Sequence, residues 1–292
     1  MTRRIGRLAV AIVGVGMLAW SAAAQDVGPK SGSLVVVGGA MRNEAIVKRF
    51  IDLAGGPGAP IVLIPTAGGA ESYHQDSAGA RQFRAAGAAN VTVLHTYSRA
   101  VADTEEFAAP LRTARGVFFG GGRHWRLADA YLNTRTHREL RALLDRGGVI
   151  GGTSAGATIL GSFMVRGDTS GNTIMVGDHV EGLGFLRNVT VDQHVLRRNR
   201  QFDLIPVIEQ HPHLLGIGID EDTAIVVRGD EFEVIGSSYV LIYDNRRSIQ
   251  PGGRFYFLAP GDRYNLKTRQ GVRPAGNQAR PIDRVTDQPW PH

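Results

Sequence analysis

The stretch GGVIGGTSAGATILGS, residues 147–162, decides the fold and draws attention to one side chain. An apolar run leads into two glycines, then Ser154, then small residues and a second apolar run. This pattern indicates a buried strand, a sharp turn and the start of a helix, and residues 152–156 match G-x-S-x-G. The helix beginning at Ala155 would point its free N–H groups and the positive end of its dipole at the serine. The pattern alone predicts either a nucleophile or a glycine-rich turn that binds phosphate or only packs.

Strands and helices alternate through the first half of the chain. Strands are predicted at apolar runs 33–40, 60–69, 91–97, 116–122 and 147–153. Helices are predicted at 43–56, 71–87 and 124–147. Because these strands are apolar throughout, they are expected in a mostly parallel sheet with helices on both faces, an α/β fold.

The second half has a different character, with short strands separated by turns. The predicted strands are 187–195, 214–220, 223–229, 231–237 and 239–245, with a helix at 200–212. We expect them to add antiparallel β-hairpins to the parallel core.

The ends of the chain predict export and a loose tail. A basic start, a 13-residue apolar run and an Ala-x-Ala site indicate a signal peptide at 1–24, cleaved near Ala24 for release to the periplasm or the medium. A stable membrane anchor would need about 20 apolar residues, more than this 13-residue run offers, so no stable anchor is expected. Residues 25–32 form a linker, 33–268 a single hydrolase domain, and 269–292, rich in Pro, Gly and polar residues, a loose tail.

Composition excludes several functions. Cleavage of the signal removes three arginines and no acidic residue, so the formal net charge falls from +6 to +3, and no nucleic-acid partner is expected. The chain has no cysteine, which excludes thiolate chemistry and disulfides. No H-E-x-x-H motif or paired His/Asp cluster occurs, so no metal and no cofactor is predicted.

A serine hydroxyl needs a base to become a nucleophile at neutral pH. His194, in VDQHV at the end of a predicted strand, is the best-placed histidine, because active sites of open α/β sheets gather at strand ends. Glu221 also follows an apolar strand, between Asp220 and Asp222. These acids suit either a solvated turn or a carboxylate that orients the imidazole.

Several motifs together carry a family resemblance. GGTSAGA, VDQHV, RRNR, LLGIGIDEDTA and FEVIGS, in this order and spacing, resemble peptidase family S51, the dipeptidase E-like family that includes the cyanophycinases. The similarity runs from about residue 32 to about residue 269. It implies a fold like that of class I glutamine amidotransferases, which is flavodoxin-like, and hydrolysis of peptide bonds involving aspartate.

The resemblance also implies the chemistry of the site. Ser154 matches the nucleophile, His194 the base and Glu221 the orienting acid of an acyl-enzyme mechanism. The oxyanion hole would use the N–H of Ala155 and that of Gly121 or Gly122.

Substrate binding is implied at four further positions, Asp192, Gln193, Arg198 and Arg200. Three departures from the family pattern stand nearby. Arg123 and His124 replace an acid or amide followed by glutamine, and Asp203 replaces an arginine. They leave the chemistry intact and put β-Asp-Arg specificity in question.

The leading hypothesis is an exported serine peptidase that cleaves aspartyl, above all β-aspartyl, bonds in peptides or cyanophycin-like polymers. Two alternatives stay open: an α/β-hydrolase esterase, with chain order serine, acid, histidine, and a non-catalytic amidotransferase-like binding domain. The family that these motifs resemble includes homodimers, so a homodimer is one expectation and the oligomeric state stays open.

Overall fold

The structure is a computed structural model that describes residues 26–249, 252–275 and 285–286. The predicted signal peptide, residues 1–24, lies outside them. Among the described residues, no helix has the length and apolar character needed to cross a membrane.

A parallel sheet forms the centre of the molecule, as predicted. Its strands are β1 (Ser33–Val37), β2 (Ile61–Ile64), β3 (Val91–Val93), β4 (Gly116–Phe119) and β5 (Val149–Thr153). They lie in the order β1-β5-β4-β2-β3, and every neighbouring pair is parallel. Alternate residues of β1 enter different core clusters: Val35 and Val37 pack on one face, Leu34 and Val36 on the other. Both faces of the sheet are therefore covered, which explains why its strands are apolar throughout.

The predicted helices are shorter than expected, and two further helices between residues 99 and 113 were not predicted. They are α1 (Glu44–Ala54), α2 (Ala78–Ala85), α3 (Arg99–Ala102), α4 (Glu105–Thr113), α5 (His124–Tyr131), α6 (Arg135–Asp145), α7 (Ala155–Thr158) and α8 (Leu204–Gln210). The single helix expected over 124–147 breaks at Asn133, where φ is +58°. The helix expected from residue 71 begins only after Ser77, because the Gln75 side chain pairs with the backbone of Val93 at the edge of β3.

The second half of the chain supplies the remaining strands. They are β6 (Gly161–Phe163), β7 (Leu186–Gln193), β8 (Leu215–Ile219), β9 (Thr223–Arg228), β10 (Glu231–Gly236), β11 (Val240–Tyr243), β12 (Ser248–Ile249), β13 (Tyr256–Leu258), β14 (Arg263–Asn265), β15 (Gln270–Val272) and β16 (Val285–Thr286).

Two groups of these strands have different partners. Strands β9 and β10 extend the central sheet from β1 in antiparallel fashion, as predicted, and β14 and β15, which were not predicted, continue it. A second sheet has the order β13-β11-β8-β7-β6. Within it β7 and β8 are parallel, which differs from the hairpins expected for 187–195 and 214–220. The chain between them contains α8, and such a crossover gives parallel rather than antiparallel strands.

The sheet continues beyond the domain boundary predicted at residue 268. Residues 270–272 form β15, paired with β14. Just before it, Arg269 is buried and donates to Asp244 Oδ1 at 2.6 Å and to the His213 carbonyl at 2.7 Å. These hydrogen bonds hold a segment whose composition had indicated a loose tail.

Three phenylalanines lock α1 and α2 onto the sheet. The ring of Phe50 meets those of Phe83 and Phe118 edge to face, at centroid distances of 5.5 and 5.3 Å. Gly151 gives these rings room, because a Cβ there would lie 2.7 Å from Phe118 Cδ2.

We expect Phe50→Ala to lower the free energy of unfolding by about 3–5 kcal/mol, because it removes a fully buried ring and leaves a cavity. Phe202→Ala is the matched control, since Phe202 is 61% exposed, and its cost should be about 0.5 kcal/mol or less. Urea denaturation measures both values. Equal losses would contradict the assignment of Phe50 to the core.

Candidate active site

Ser154 lies on a sharp turn between β5 and α7. Its backbone has φ +56° and ψ −118°, a conformation rare for a residue with a side chain. Gly152 and Gly156 permit the turn, because a Cβ at Gly152 would lie 2.0 Å from the Gly156 carbonyl oxygen. A Cβ at Gly156 would lie 2.4 Å from the carbonyl oxygen of Phe119. The glycines of G-x-S-x-G are therefore required by contact, and the strained turn holds the serine out at the strand end.

The structure brings Ser154, His194 and Glu221 into one hydrogen-bonded line. The Oγ of Ser154 is 2.9 Å from Nε2 of His194, and Nδ1 of His194 is 2.7 Å from Oε1 of Glu221. The histidine directly follows β7, and the glutamate lies two residues beyond the end of β8. In this arrangement the carboxylate accepts a hydrogen bond from Nδ1–H, which leaves Nε2 unprotonated and able to accept the serine proton.

The end of β1 holds all three segments in place. The N–H of Ser154 donates to the carbonyl of Val37 at 3.0 Å, and that of His194 donates to Gly38 at 2.9 Å. The Gly39 carbonyl accepts from the N–H of Asp222, also at 2.9 Å. Gly39 has a second task, because a Cβ on it would lie 2.2 Å from Cε1 of His194. Sequence reasoning missed this role, although the Gly-Gly pair at the end of an apolar strand was its signal.

The two acids beside Glu221 organise different loops. Asp220 accepts the N–H groups of Leu196 and Arg197 through Oδ1, at 3.1 and 2.8 Å, and so holds the turn after His194. Asp222 accepts the N–H groups of Arg42 and Asn43 in the loop after β1. Glu221 is thus the one member of this acidic triplet that contacts the imidazole.

The three residues predicted for an oxyanion hole surround the serine unequally. Ala155 directly follows Ser154 at the start of α7. A Cβ on Gly121 would lie 3.1 Å from Cβ of Ser154, so the backbone of Gly121 packs against the serine side chain. Gly122 packs instead against Ala67, whose carbonyl oxygen would be 2.0 Å from its Cβ. Within the described residues, the N–H groups of Gly121 and Gly122 have no backbone acceptor.

Burial lowers the pKa of His194 below its ordinary value of 6.5, because it disfavours the charged imidazolium. The Glu221 carboxylate opposes this effect and raises the pKa, whereas the positive charge of Arg198 lowers it. The imidazole is therefore neutral at pH 7, which is the form that can accept a proton.

Two of the four predicted substrate-binding residues do not face an open site. Asp192 is fully buried, and its carboxylate accepts two hydrogen bonds from Arg166, from Nε at 2.7 Å and Nη2 at 2.8 Å. Gln193 is also buried and lies 3.2 Å from His124 through Nε2 on each side chain. Arg166 was missed in the sequence, and its signal was an arginine at the end of the apolar run SFMV.

The other two predicted residues contribute positive charge. Arg198 is exposed in the turn after His194, where its N–H donates to the His194 carbonyl at 3.0 Å. Arg200 is 9% exposed and donates through Nη1 to the backbone and side-chain oxygens of Gln193. Among the described residues, Arg200 forms no ion pair with a carboxylate. Both arginines precede α8, although Arg200 had been expected inside the predicted helix 200–212.

The three departures from the family pattern are occupied by contacts within the protein. Asp203 accepts from Nη2 of Arg166 at 2.6 Å, so Asp192 and Asp203 share one guanidinium, and both carboxylates also lie within electrostatic range of Arg200. Arg123 donates to the carbonyl of Asp168 at 2.6 Å. His124 is 1% exposed, and burial, with Arg166 nearby, lowers its pKa to about 3. The charge of Asp203 is therefore offset by Arg166 together with the nearby Arg200.

No group of three or more His, Asp or Glu side chains in the described ranges is arranged to hold a metal ion. The chain order serine, histidine, glutamate differs from the order serine, acid, histidine of the α/β-hydrolase esterases. A serine on such a turn, backed by an imidazole and a carboxylate, is typical of serine hydrolases.

Comparisons with known proteins agree with the fold and identify the family. The sequence pattern of peptidase family S51 matches residues 34–235. A cyanophycinase of Geminocystis herdmanii is 36% identical over 263 residues, which cover 82% of this chain and 95% of that protein. A cyanophycinase of Synechococcus elongatus is 35% identical over 263 residues, 82% of this chain and 80% of that protein.

Among solved structures, a peptidase from an acI-B1 Actinobacterium superposes with a TM-score of 0.61 at 27% identity, over 82% of this chain and 98% of its own. The protein is a serine-type peptidase. More narrowly, the chain belongs to peptidase family S51, which confirms the resemblance drawn from its motifs.

We expect Glu221→Gln to lower the pKa of His194 further, because it removes the carboxylate that stabilises the imidazolium. NMR titration of the His194 Cε1–H resonance, assigned with a His194→Gln variant, measures the shift. Asp222→Asn is the matched control, since Asp222 bonds the loop after β1 and not the ring. An equal fall in both variants would contradict a direct Glu221–His194 contact.

Proposed function

We propose that this peptidase hydrolyses aspartyl bonds, chiefly β-aspartyl bonds, with Ser154 as nucleophile, His194 as base and Glu221 as the acid that orients the imidazole. The single observation that carries the proposal is the hydrogen-bonded line from Ser154 Oγ through the ring to Glu221 Oε1. The names of the related cyanophycinases support the aspartyl substrate class.

In the first half of the reaction, His194 Nε2 takes the hydroxyl proton while Oγ of Ser154 bonds to the amide carbon. The carbonyl oxygen becomes an oxyanion, for which the N–H groups of Ala155 and Gly121 are the proposed donors. Of the two glycines, Gly121 is the better placed, because its backbone packs on the serine side chain.

In the second half, the imidazolium gives its proton to the leaving amine, the C–N bond breaks and an acyl-enzyme remains. Water then attacks the ester carbon, losing a proton to His194, and Ser154 leaves with a proton returned by the ring. Throughout, the Glu221 carboxylate stabilises the imidazolium without itself being protonated. These steps need only groups of the protein and water.

Arg200 is the proposed anchor for the aspartyl carboxylate. It is a buried guanidinium that forms no ion pair in the described part of the chain, and a substrate carboxylate would accept charge-assisted hydrogen bonds from it. Arg198, exposed on the turn after His194, adds positive charge to the approach. In this proposal Asp192 and Gln193 position other side chains and do not contact the substrate. Gln193 accepts hydrogen bonds from Arg200, and Asp192 accepts them from Arg166.

We further propose export, on the basis of the signal-like pattern at 1–24. Amino-terminal sequencing of protein recovered outside the cytoplasm should begin at Gln25, and a start at Met1 would contradict it. A homodimer also stays a prediction, and size-exclusion chromatography with light scattering measures the molar mass that tests it.

Ser154→Ala should reduce hydrolysis of β-Asp-Leu and of cyanophycin by about a thousandfold or more, because the nucleophile is lost. Ser170→Ala is the control, since Ser170 is an exposed serine elsewhere. Release of free amine measures both, with thermal unfolding to show that each variant is folded. Undiminished turnover by Ser154→Ala would refute the assignment.

A further inference from the structure

An uncharged, largely apolar cleft of about 430 Å³ opens beside the serine. It lies at the carboxyl ends of β2, β4 and β5, between the sheet and the start of α2. Its walls include the side chains of Met41, Leu63, Phe83 and Phe118. Clefts of this size and character typically hold small-molecule groups.

The cleft extends to the residues that adjoin Ser154. Gly121 and Thr153 line it, and Thr153 directly precedes Ser154. A Cβ on Gly121 would lie 3.6 Å from Oγ of Ser154, so the cleft and the hydroxyl share this stretch of backbone. A substrate whose carbonyl is held at Gly121 can therefore place one of its flanking groups in the cleft.

The surroundings of Ser154 are electrically asymmetric. Arg200 is close enough to His194 to lower the pKa of its imidazole, and it forms no ion pair among the described residues. No residue that lines the cleft, all of them in the described part of the chain, is charged. A substrate carboxylate is thus favoured near Arg200 and His194, and an uncharged group is favoured in the cleft.

We propose that this cleft binds an apolar side chain on the leaving residue, so that the preferred substrates are β-aspartyl peptides of leucine, methionine or phenylalanine rather than of arginine. The inference rests on the proposed function and adds to it the identity of the second residue. An arginine side chain in the cleft would lose water from its guanidinium and find no carboxylate there to replace it.

The first experiment compares kcat/KM of the wild-type protein on β-Asp-Leu, β-Asp-Gly and β-Asp-Arg. We expect β-Asp-Leu to exceed each of the other two by about tenfold or more, the scale on which apolar pockets discriminate side chains. Equal values for leucine and glycine, or a higher value for arginine, would overturn the inference.

A second experiment places a carboxylate in the cleft. Ser77 lines the cleft and is the N-cap residue of α2, yet its side chain makes no capping hydrogen bond. Because aspartate is favoured at N-caps, Ser77→Asp should fold and offer the guanidinium a partner. The ratio of kcat/KM for β-Asp-Arg over β-Asp-Leu should rise about tenfold.

Ser98→Asp is the matched control, since Ser98 is the N-cap residue of α3 and does not line the cleft. It should leave the ratio at the wild-type value. An equal rise in both variants, or no rise in Ser77→Asp, would overturn the placement of the leaving residue.

The three dipeptides distinguish failure of the proposed aspartyl activity from failure of the cleft assignment. If the aspartyl proposal is wrong, none of the three dipeptides is hydrolysed, and the inference falls with it. If only the inference is wrong, the dipeptides are hydrolysed through Ser154, but without a preference for leucine.

Discussion

Three successive carbonyls at the end of β1 hold the candidate site together. Val37, Gly38 and Gly39 accept the N–H groups of Ser154, His194 and Asp222, which come from three distant parts of the chain. The serine ends a strand of the central sheet, whereas the histidine ends a strand of the second sheet. The reacting geometry therefore depends on how the two sheets meet at the end of β1.

This constraint explains why side chains are excluded at the junction. A Cβ on Gly38 would lie 2.1 Å from the Asp220 carbonyl oxygen, and one on Gly39 would lie against the imidazole. Around them, Arg198 and Arg200 place positive charge near the imidazole, while none of the described residues that line the cleft beside Gly121 is charged. Arg166 forms ion pairs with both Asp192 and Asp203, whereas Arg200 forms no ion pair within the described chain and lies within electrostatic range of the same two carboxylates.

The sequence predicted the parts of the fold that local pattern controls. The apolar strands and G-x-S-x-G gave the parallel core and the position of the serine turn, because each is set by neighbours in the chain. The placement of His194 and Glu221 beside it came mainly from the family resemblance. Strand pairing was harder: the apolar segments of β7 and β8 do not specify their partners, and the crossover through α8 made them parallel.

Long-range pairing of polar groups was hardest to predict. Asp192 lies two positions before His194 in the sequence, but its partner Arg166 is 26 positions away, and nothing in the spacing of the sequence reveals this pair. The break at Asn133 and the continuation of the sheet through Arg269 likewise depend on tertiary contacts or on one unusual backbone angle.

The central claim is that His194 activates Ser154 across the junction of the two sheets. The most direct measurement is the rate at which a fluorophosphonate labels the protein, followed by intact mass and peptide mapping. The account predicts a single adduct on Ser154, formed about a hundredfold more slowly in His194→Gln. Labelling at another residue, or at equal rates in the two proteins, would contradict it.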